Sequence, residues 1–241
     1  MGRAARDAGG RITGADLLRY LRDLGWRDVA WQPPPAKAVP PPVAHASSTP
    51  PAALDPSRAE SLEEMARSLA DCRRCRLAGS RSRVVFGAGS NRARVLFVGE
   101  GPGAEEDRQG VPFVGKAGQL LNAMLRAVGL RREDVYIANV VKCRPPENRD
   151  PQEDEAAACL PFLWRQIELV DPAVIVALGR VASQFLLGTK APISSYRGRW
   201  TSCRGRDVLP TFHPAYLLRT PSAKAAVWAD LKLLRQRLRD G

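Results

Sequence analysis

Four cysteines of this chain are spaced like the ligands of one metal centre. Cys72 and Cys75 form a C-x-x-C pair, and Cys143 and Cys159 follow far downstream. One centre bound by all four would tie the start of a folded domain to its middle, so it limits how the intervening chain can fold. The fifth cysteine, Cys203, stands apart in a polar stretch.

Two kinds of centre suit this ligand set. Structural zinc sites usually combine two closely spaced pairs, whereas Cys143 and Cys159 are separated by fifteen residues and Cys159 lies in a predicted helix. Iron–sulfur clusters accept more widely scattered thiolates. The spacing therefore favours an iron–sulfur cluster, with zinc as the alternative.

Composition divides the chain into three parts. Residues 1–32 hold a short amphipathic pattern, with leucines at helical spacing between positions 17 and 24. Residues 33–58 form a predicted disordered linker, because 9 of the 24 residues from Pro33 to Pro56 are proline and such a segment cannot bury enough apolar surface to fold. Residues 59–241 are long enough for one domain.

The excess of basic charge belongs to the third part. Residues 69–241 carry 28 Lys and Arg against 17 Asp and Glu, a balance that favours a polyanionic partner such as nucleic acid. The sequence has neither a run of about 18 apolar residues nor a signal peptide. We therefore expect a cytoplasmic protein without a membrane segment, in which the cysteines are ligands or thiols.

Apolar runs alternate with helical patterns along this third part. Strands are predicted at residues 95–98, 135–141, 174–178 and 208–212, and helices at 116–128, 152–169, 180–187 and 222–238. Repeated strand–helix units imply a parallel sheet with helices on both faces. The predicted fold is a three-layer α/β/α domain with a central parallel sheet of roughly four strands.

Polar residues gather where three of the predicted strands end. The first strand enters Gly99-Glu-Gly-Pro-Gly103, the second ends at Asn139, and the fourth ends at His213-Pro-Ala215. The carboxyl ends of parallel strands lie at one edge of a sheet, where ligands usually bind. The glycine-rich loop lacks the lysine and the spacing of a nucleotide-binding loop, so phosphate binding is disfavoured.

These motifs together closely resemble the family 4 uracil-DNA glycosylases. The resemblance covers residues 62–238 and is carried, in order, by Cys72-x-x-Cys75, residues 99–107, 112–121 and 139–146, Asn148-Arg149 and residues 213–215. It implies an α/β/α enzyme that excises uracil from DNA in base excision repair and leaves an abasic site. It also implies one [4Fe–4S] cluster held by Cys72, Cys75, Cys143 and Cys159.

The resemblance assigns the recognition of uracil to particular residues. A base inside the duplex cannot be attacked, so its nucleotide must be flipped into a pocket. Phe113 is expected to stack on the flipped ring. Asn139 is expected to pair with O4 and N3–H, which cytosine would leave mismatched. Glu106 is expected to exclude the 5-methyl group of thymine.

Catalysis is assigned in the same way. His213, near uracil O2, is expected to donate a hydrogen bond to the charge that develops on the departing base. The backbone of Glu100, Gly101 and Pro102 is expected to line the pocket and to position water. Gly101 occupies the position where another uracil glycosylase family has an aspartate, so the base that activates water is left open. Either Glu100 or Asp107 takes this role, or the water needs little activation once the sugar cation forms.

The expected contacts with DNA lie around these motifs. The side chain of Leu217 or Tyr216 is expected to wedge into the vacated base stack. Phosphate contacts are expected from Arg144, Arg149, Arg197, Arg199 and Arg219. The substrate is expected to be single- or double-stranded DNA containing uracil, the protein to be a monomer, and the N-terminal segment to bind a repair protein.

Two alternatives accompany this interpretation. The fold could serve a glycosylase for another deaminated base, hypoxanthine or xanthine, or a non-catalytic nucleic-acid-binding module with the same cluster. The chain also departs from the family pattern at Glu147, where the family often has glycine in the segment that follows Cys143.

Overall fold

A computed structural model describes Asp55 and residues 58–240. The predicted N-terminal helix and nearly all of the predicted linker lie outside these described residues. Helix α1, Leu62–Leu69, begins after Ser61, whose hydroxyl accepts a hydrogen bond from the Glu64 amide at 3.1 Å. This bond satisfies one free amide of the first turn, and the Glu64 side chain in turn accepts a hydrogen bond from the Glu60 amide just before the helix.

One mixed sheet organises the described residues. Its strands are β1 (Ala88–Gly89), β2 (Val95–Gly99), β3 (Tyr136–Asn139), β4 (Val174–Leu178), β5 (Thr201–Cys203) and β6 (Arg206–Thr211). The strand order is β1-β3-β2-β4-β6-β5. The four central strands are parallel, as predicted, whereas β1 and β5 are antiparallel edges. These edges have only two and three residues, too few for a recognisable alternation of apolar residues.

Helices cover both faces of the sheet. They are α2 (Ala104–Gln109), α3 (Lys116–Ala127), α4 (Glu153–Val170), α5 (Gly179–Leu187), α6 (Pro214–Arg219) and α7 (Lys224–Asp240). Phe97 and Val176 pack with residues of α3, α6 and α7, while Leu96 and Ile175 pack with residues of α1, α4 and α5. Alternate residues of each central strand are thus buried on opposite faces. The three-layer α/β/α prediction is confirmed.

The parallel register brings the strand ends to one edge. Gly99, the last residue of β2, pairs with Asn139, the last residue of β3. Strand β6 ends at Thr211, two residues before His213. The three predicted polar motifs therefore meet at this edge, as expected for the carboxyl ends of parallel strands. No described helix has the length and apolar character needed to cross a membrane.

Candidate active site and cysteine pocket

A cleft of about 390 Å³ opens at the carboxyl edge of the sheet. This volume lies within the usual range for sites that bind a small molecule. Every residue that the sequence assigned to uracil binding lines it: Glu100, Gly101, Pro102, Glu106, Phe113, Asn139 and His213. The residues come from four separate segments of the chain, so only the fold brings them together.

Asn139 lines this cleft and carries a buried acceptor without a partner in the described part of the chain. Its side chain is buried, and its Oδ1 has no hydrogen-bond partner within the described residues. A Cβ atom on Gly99 would lie 2.4 Å from this oxygen and 2.7 Å from the Phe113 ring, so glycine is needed for the close approach of both groups. Buried acceptors are nearly always satisfied in proteins, which indicates that a ligand supplies the missing donor.

Phe113 has a backbone conformation that the surrounding residues hold in place. Its φ angle is +52°, a value that side chains other than glycine rarely adopt. Arg132 donates hydrogen bonds to the carbonyl of Phe113 at 3.0 Å and to Oδ1 of Asn122 at 3.1 Å. Gly118 allows the backbone of Phe113 to pack against α3, since a Cβ there would lie 1.9 Å from the Phe113 carbonyl oxygen. The ring is therefore held rigidly at the wall of the cleft.

Glu106 also holds the loop that carries Phe113. Its Oε1 accepts hydrogen bonds from the amides of Val114 at 2.9 Å and Gly115 at 2.8 Å. These contacts give the side chain a clear part in positioning Phe113. Exclusion of the thymine methyl group, the role predicted from the sequence, remains a prediction.

His213 is presented as a neutral hydrogen-bond donor. Its Nδ1 accepts a hydrogen bond from the amide of Ala215 at 3.1 Å, at the start of α6. A neutral imidazole that accepts through Nδ1 carries its proton on Nε2. Burial, and after it the charge of Arg219, lower the pKa of His213 to about 4. At neutral pH the ring is thus uncharged, with Nε2–H as its donor, and its centroid lies 5.5 Å from that of Phe113.

The two predicted water-activating residues differ in position. Glu100 lines the cleft. Burial and nearby Asp150, opposed by Arg180, raise the pKa of Glu100 to about 7. Asp107 is buried outside the cleft and accepts hydrogen bonds from the amides of Ser82 and Arg83. These contacts place the Asp107 carboxylate against this loop, so the geometry favours Glu100 over Asp107 as the water-activating residue.

Arg197 and Leu217 do not take the DNA-contacting positions predicted for them. Arg197 pairs with buried Asp230, with Nε 3.1 Å from Oδ2, and its guanidinium lies over the Phe212 ring. Asp230 also accepts a hydrogen bond from Thr211. Leu217 is 1% exposed and belongs to the core. Both residues stabilise the packing of the domain, and neither is available to a polyanion or a base stack.

The other predicted DNA contacts are at or near the surface. Tyr216 is exposed and lines the cleft, as does exposed Arg219. Arg149 lines the cleft too, but its guanidinium binds both carboxylate oxygens of Glu155, at 2.6 and 2.8 Å. Arg144 donates a hydrogen bond to Asn148, and Arg199 is exposed.

Sequence reasoning missed residues whose importance depends on distant neighbours. Asp150 lines the cleft and pairs with Arg180 of α5. Lys142 is buried, with Nζ donating to the carbonyl of Asn139 at 2.8 Å and to the side chain of Gln166. The sequence contains one signal for Lys142, because a lysine between Val141 and Cys143 stands out at the end of an apolar run. No local pattern marked Asp150 or Arg180.

The four predicted cysteine ligands line one small pocket. Burial raises the pKa of Cys143 to about 12, with Arg81 opposing and Cys159 and Cys75 contributing to the rise. Burial also raises the pKa of Cys159, and there Lys142 opposes. Thiols that influence each other's charge in this way lie close together, although their sequence positions span 88 residues.

Positive groups and amides surround the sulfur atoms of this pocket. Arg74 lies 3.4 Å from Sγ of Cys72, Arg81 lies 3.6 Å from Sγ of Cys143, and the Lys142 amide lies 3.4 Å from Sγ of Cys159. Such donors favour thiolates, which are the form that binds metal. Within the described residues, no three metal-binding side chains are arranged to hold a single ion. Iron–sulfur clusters are held by cysteine thiolates, and the four cysteines of this pocket supply that set of donors.

The backbone conformation of Glu147 explains why glycine suits this position. Its φ angle is +55°, in the left-handed region, within the turn Pro146–Asn148. We expect Glu147→Gly to stabilise the protein by about 0.5–1 kcal/mol, because the strain of a side chain in this conformation exceeds the added entropy of the unfolded chain. Thermal unfolding would measure the change.

A control for this substitution lies at the start of α4. Glu153 is exposed in the first turn of this helix, so Glu153→Gly should lower stability, because it adds entropy to the unfolded chain with no strain to relieve and removes an acidic side chain from the helix N-terminus. Equal destabilisation by both glycines would contradict the interpretation of Glu147.

Comparison with known proteins gives a consistent result. A family model described as the uracil DNA glycosylase superfamily matches residues 86–232. The type-4 uracil-DNA glycosylase of Thermotoga maritima is 52% identical over 170 residues, covering 69% of this chain and 88% of that protein. The type-4 uracil-DNA glycosylase of Archaeoglobus fulgidus is 44% identical, covering 72% and 91%, and that of Sulfurisphaera tokodaii is 41% identical, covering 73% and 84%.

Proposed function

Since the chain belongs to the uracil DNA glycosylase superfamily, and within it to the type-4 enzymes, we propose that it hydrolyses the N-glycosidic bond of uracil in DNA. The product is an abasic site. The observation that carries the proposal is the unpartnered Oδ1 of Asn139, buried beside the Phe113 ring. The similarity to type-4 enzymes does not favour a glycosylase for hypoxanthine or xanthine, or a non-catalytic binding module.

The cleft selects uracil by hydrogen bonding. Oδ1 of Asn139 accepts the N3–H of the flipped base, and its Nδ2 donates to O4. Cytosine has an unprotonated N3 and an amino group at these positions, so Oδ1 of Asn139 would stay buried without a donor and its Nδ2 would meet another donor. Phe113 stacks on the ring that is selected.

The same cleft stabilises the departing base. Cleavage leaves negative charge on uracil, and a neutral donor already aimed at that charge lowers the barrier without reorganisation. The Nε2–H of His213 is this donor. Because its pKa is about 4, the imidazole does not need to be protonated at neutral pH in order to act.

Water attacks the sugar carbon as the base departs. Glu100 is the group in the cleft that accepts a proton from this water, since its pKa of about 7 keeps it partly ionised at neutral pH. Backbone groups of residues 100–102 position the water.

DNA lies across the rim of the cleft. Tyr216 is 37% exposed and Leu218 is 46% exposed, so these two side chains of α6 replace buried Leu217 as the wedge in the vacated stack. Arg144, Arg199 and Arg219 contact phosphates. The excess of basic charge in residues 69–241 supports binding to a polyanion.

Cys72, Cys75, Cys143 and Cys159 would hold one [4Fe–4S] cluster. Such a cluster would cross-link distant segments of the chain, since uracil hydrolysis transfers no electrons. Cys143 follows Lys142, whose Nζ bonds the carbonyl of Asn139. The cluster therefore stabilises the loop that supports the base-reading residue.

The function is tested on a labelled oligonucleotide with one deoxyuridine, treated with alkali to break abasic sites. The expected result is a cut at uracil that requires alkali, and no cut in the same oligonucleotide with thymine. A folded protein that leaves the uracil strand intact would contradict the proposal. Single- and double-stranded forms of the oligonucleotide would show which substrate is preferred.

The cluster is tested by substitution of its ligands. Protein purified without oxygen should be brown and contain iron and sulfide, and Cys143→Ala should lose both the colour and most of its solubility. Cys203→Ala is the control, because Cys203 lies outside the pocket and donates to the carbonyl of Leu186. A soluble, active protein without iron would contradict the cluster, and stoichiometric zinc would favour the alternative centre.

The cytoplasmic location, the monomeric state and a repair-protein partner of the N-terminal segment remain predictions. Deletion of residues 1–58 should leave uracil excision intact if the segment acts only as a tether.

A further inference from the structure

We propose that Asp150 and Arg180 are positioning residues that control the charge of Glu100 in the cleft. The inference rests on the proposed function, because it concerns the step in which water attacks the sugar. Neither residue belongs to the motifs on which the sequence resemblance depends.

Two carboxyl groups meet at this point of the cleft. Glu100 follows β2, and Asp150 lies between β3 and α4; both line the cleft. Asp150 lies close enough to Glu100 to raise its pKa. A neighbouring negative charge disfavours the ionised form of a carboxyl group, so Asp150 favours the protonated form of Glu100.

Arg180 opposes the effect of Asp150 on the pKa of Glu100. It lies in the first turn of α5, forms an ion pair with Asp150 and donates to Gln184 at 3.0 Å. Its positive charge offsets the charge of Asp150, so it limits how strongly Asp150 retains a proton on Glu100. The two residues thus act on Glu100 in opposite directions.

The other charged groups of the cleft have different partners or act elsewhere. Burial is the largest cause of the raised pKa of Glu100, and the electrostatic contributions come from Asp150 and Arg180. Glu106 binds the amides of the Phe113 loop, and Arg149 binds Glu155. Arg219 acts on His213, which is neutral above a pH of about 4.

The pair makes Glu100 a suitable proton acceptor. As the N-glycosidic bond breaks, its electron pair leaves with N1 of uracil, and the water oxygen forms a bond to C1′ of the sugar. The proton released by that water passes to the ionised carboxylate of Glu100. A base whose pKa lies near the working pH combines a useful ionised fraction with high proton affinity, and Asp150 raises that affinity.

Single-turnover excision rates across a pH series test the inference. In the wild-type protein the rate should rise with pH through about 7, because Glu100 acts when ionised. Asp150→Asn should shift the rise in rate to lower pH by about one unit and reduce the rate at pH values above that rise. Arg180→Gln should shift the rise in rate to higher pH by a similar amount. Glu100→Gln should abolish the rise.

The variants are expected to fold, since the side chains of Arg180 and Asp150 are 47% and 57% exposed and such pairs contribute little to stability. Asp207→Asn is the matched control, because it breaks a surface ion pair with Arg237 and should leave the profile unchanged. The inference alone would be overturned under either of two results, provided that the wild-type protein excises uracil. In the first, Asp150→Asn and Arg180→Gln both keep the wild-type pH profile. In the second, both shift it in the same direction. A wild-type protein that excises no uracil would overturn the proposed function as well.

Discussion

Replacement of Asn139 by alanine is expected to lower kcat/KM for uracil excision by about 10³-fold or more. The side chain is buried at the base of the cleft with its acceptor unpartnered, so the substitution removes both hydrogen bonds that identify uracil. Asn139→Asp is a sharper variant of nearly the same shape. It keeps an acceptor for N3–H but loses the donor to O4, and it places a negative charge near the departing base.

Single-turnover excision with the uracil oligonucleotide would measure both variants. Asn91→Ala is the control, since Asn91 is exposed in the turn before β2 and should retain full activity. Near-normal excision by folded Asn139→Ala would contradict the recognition mechanism. Equal losses in both variants would indicate that the donor to O4 dominates recognition.

Replacement of His213 by alanine is expected to lower kcat by about 10² to 10³-fold. Binding of uracil-containing DNA should change little, because the hydrogen bond to uracil O2 strengthens mainly as charge develops on the base. His213→Gln retains a donor at a similar distance and should recover part of the rate. Folding should survive both changes, since the wild-type Nδ1 only caps the short helix α6.

The charge of His213 gives this prediction a second measurement. The pKa is lowered to about 4, so the neutral donor is already dominant at pH 5 and stays so as the pH rises. Activity should therefore not fall as the pH rises through 6.5. If a protonated imidazole were the donor, activity would fall in that range as the ring lost its proton. His45→Ala replaces the other histidine of the chain and serves as the control. A fall in wild-type activity between pH 6 and 8 that His213→Gln abolishes would contradict the neutral donor.

The parts of the fold that the sequence predicted are those with strong local patterns. The apolar runs of β2 and β4 give nearly the observed bounds, because both faces of these strands are buried and every position is apolar. Edge strands β1 and β5 escaped prediction, because short exposed segments have no such pattern. The turn at Glu147 shows the same limit, since only the observed φ angle explains why this position favours glycine.

Neighbouring residues show where local pattern stops being informative in the site. Glu106 and Asp107 are adjacent acids on α2, yet one lines the cleft and the other binds the amides of Ser82 and Arg83. Leu217 and Leu218 are adjacent leucines on α6, yet one is in the core and the other is exposed. The sequence does not show which of two adjacent residues faces the core or the cleft, because the elements packed against a short helix decide which of its faces is buried.

The sequence by itself determined which chemical groups this protein has and the order in which its strands and loops present them. Motif residues Phe113, Asn139 and His213, and the four cysteines, were identified in this way, and the structure brings each set together. Only the tertiary structure decided the surroundings of each group: the unpartnered oxygen of Asn139, the proton on Nε2 of His213 and the contact between Glu100 and Asp150. The physical reason is that burial, hydrogen-bond partners and electrostatic neighbours come from residues far apart in the chain, and these partners set the charge and orientation of a side chain.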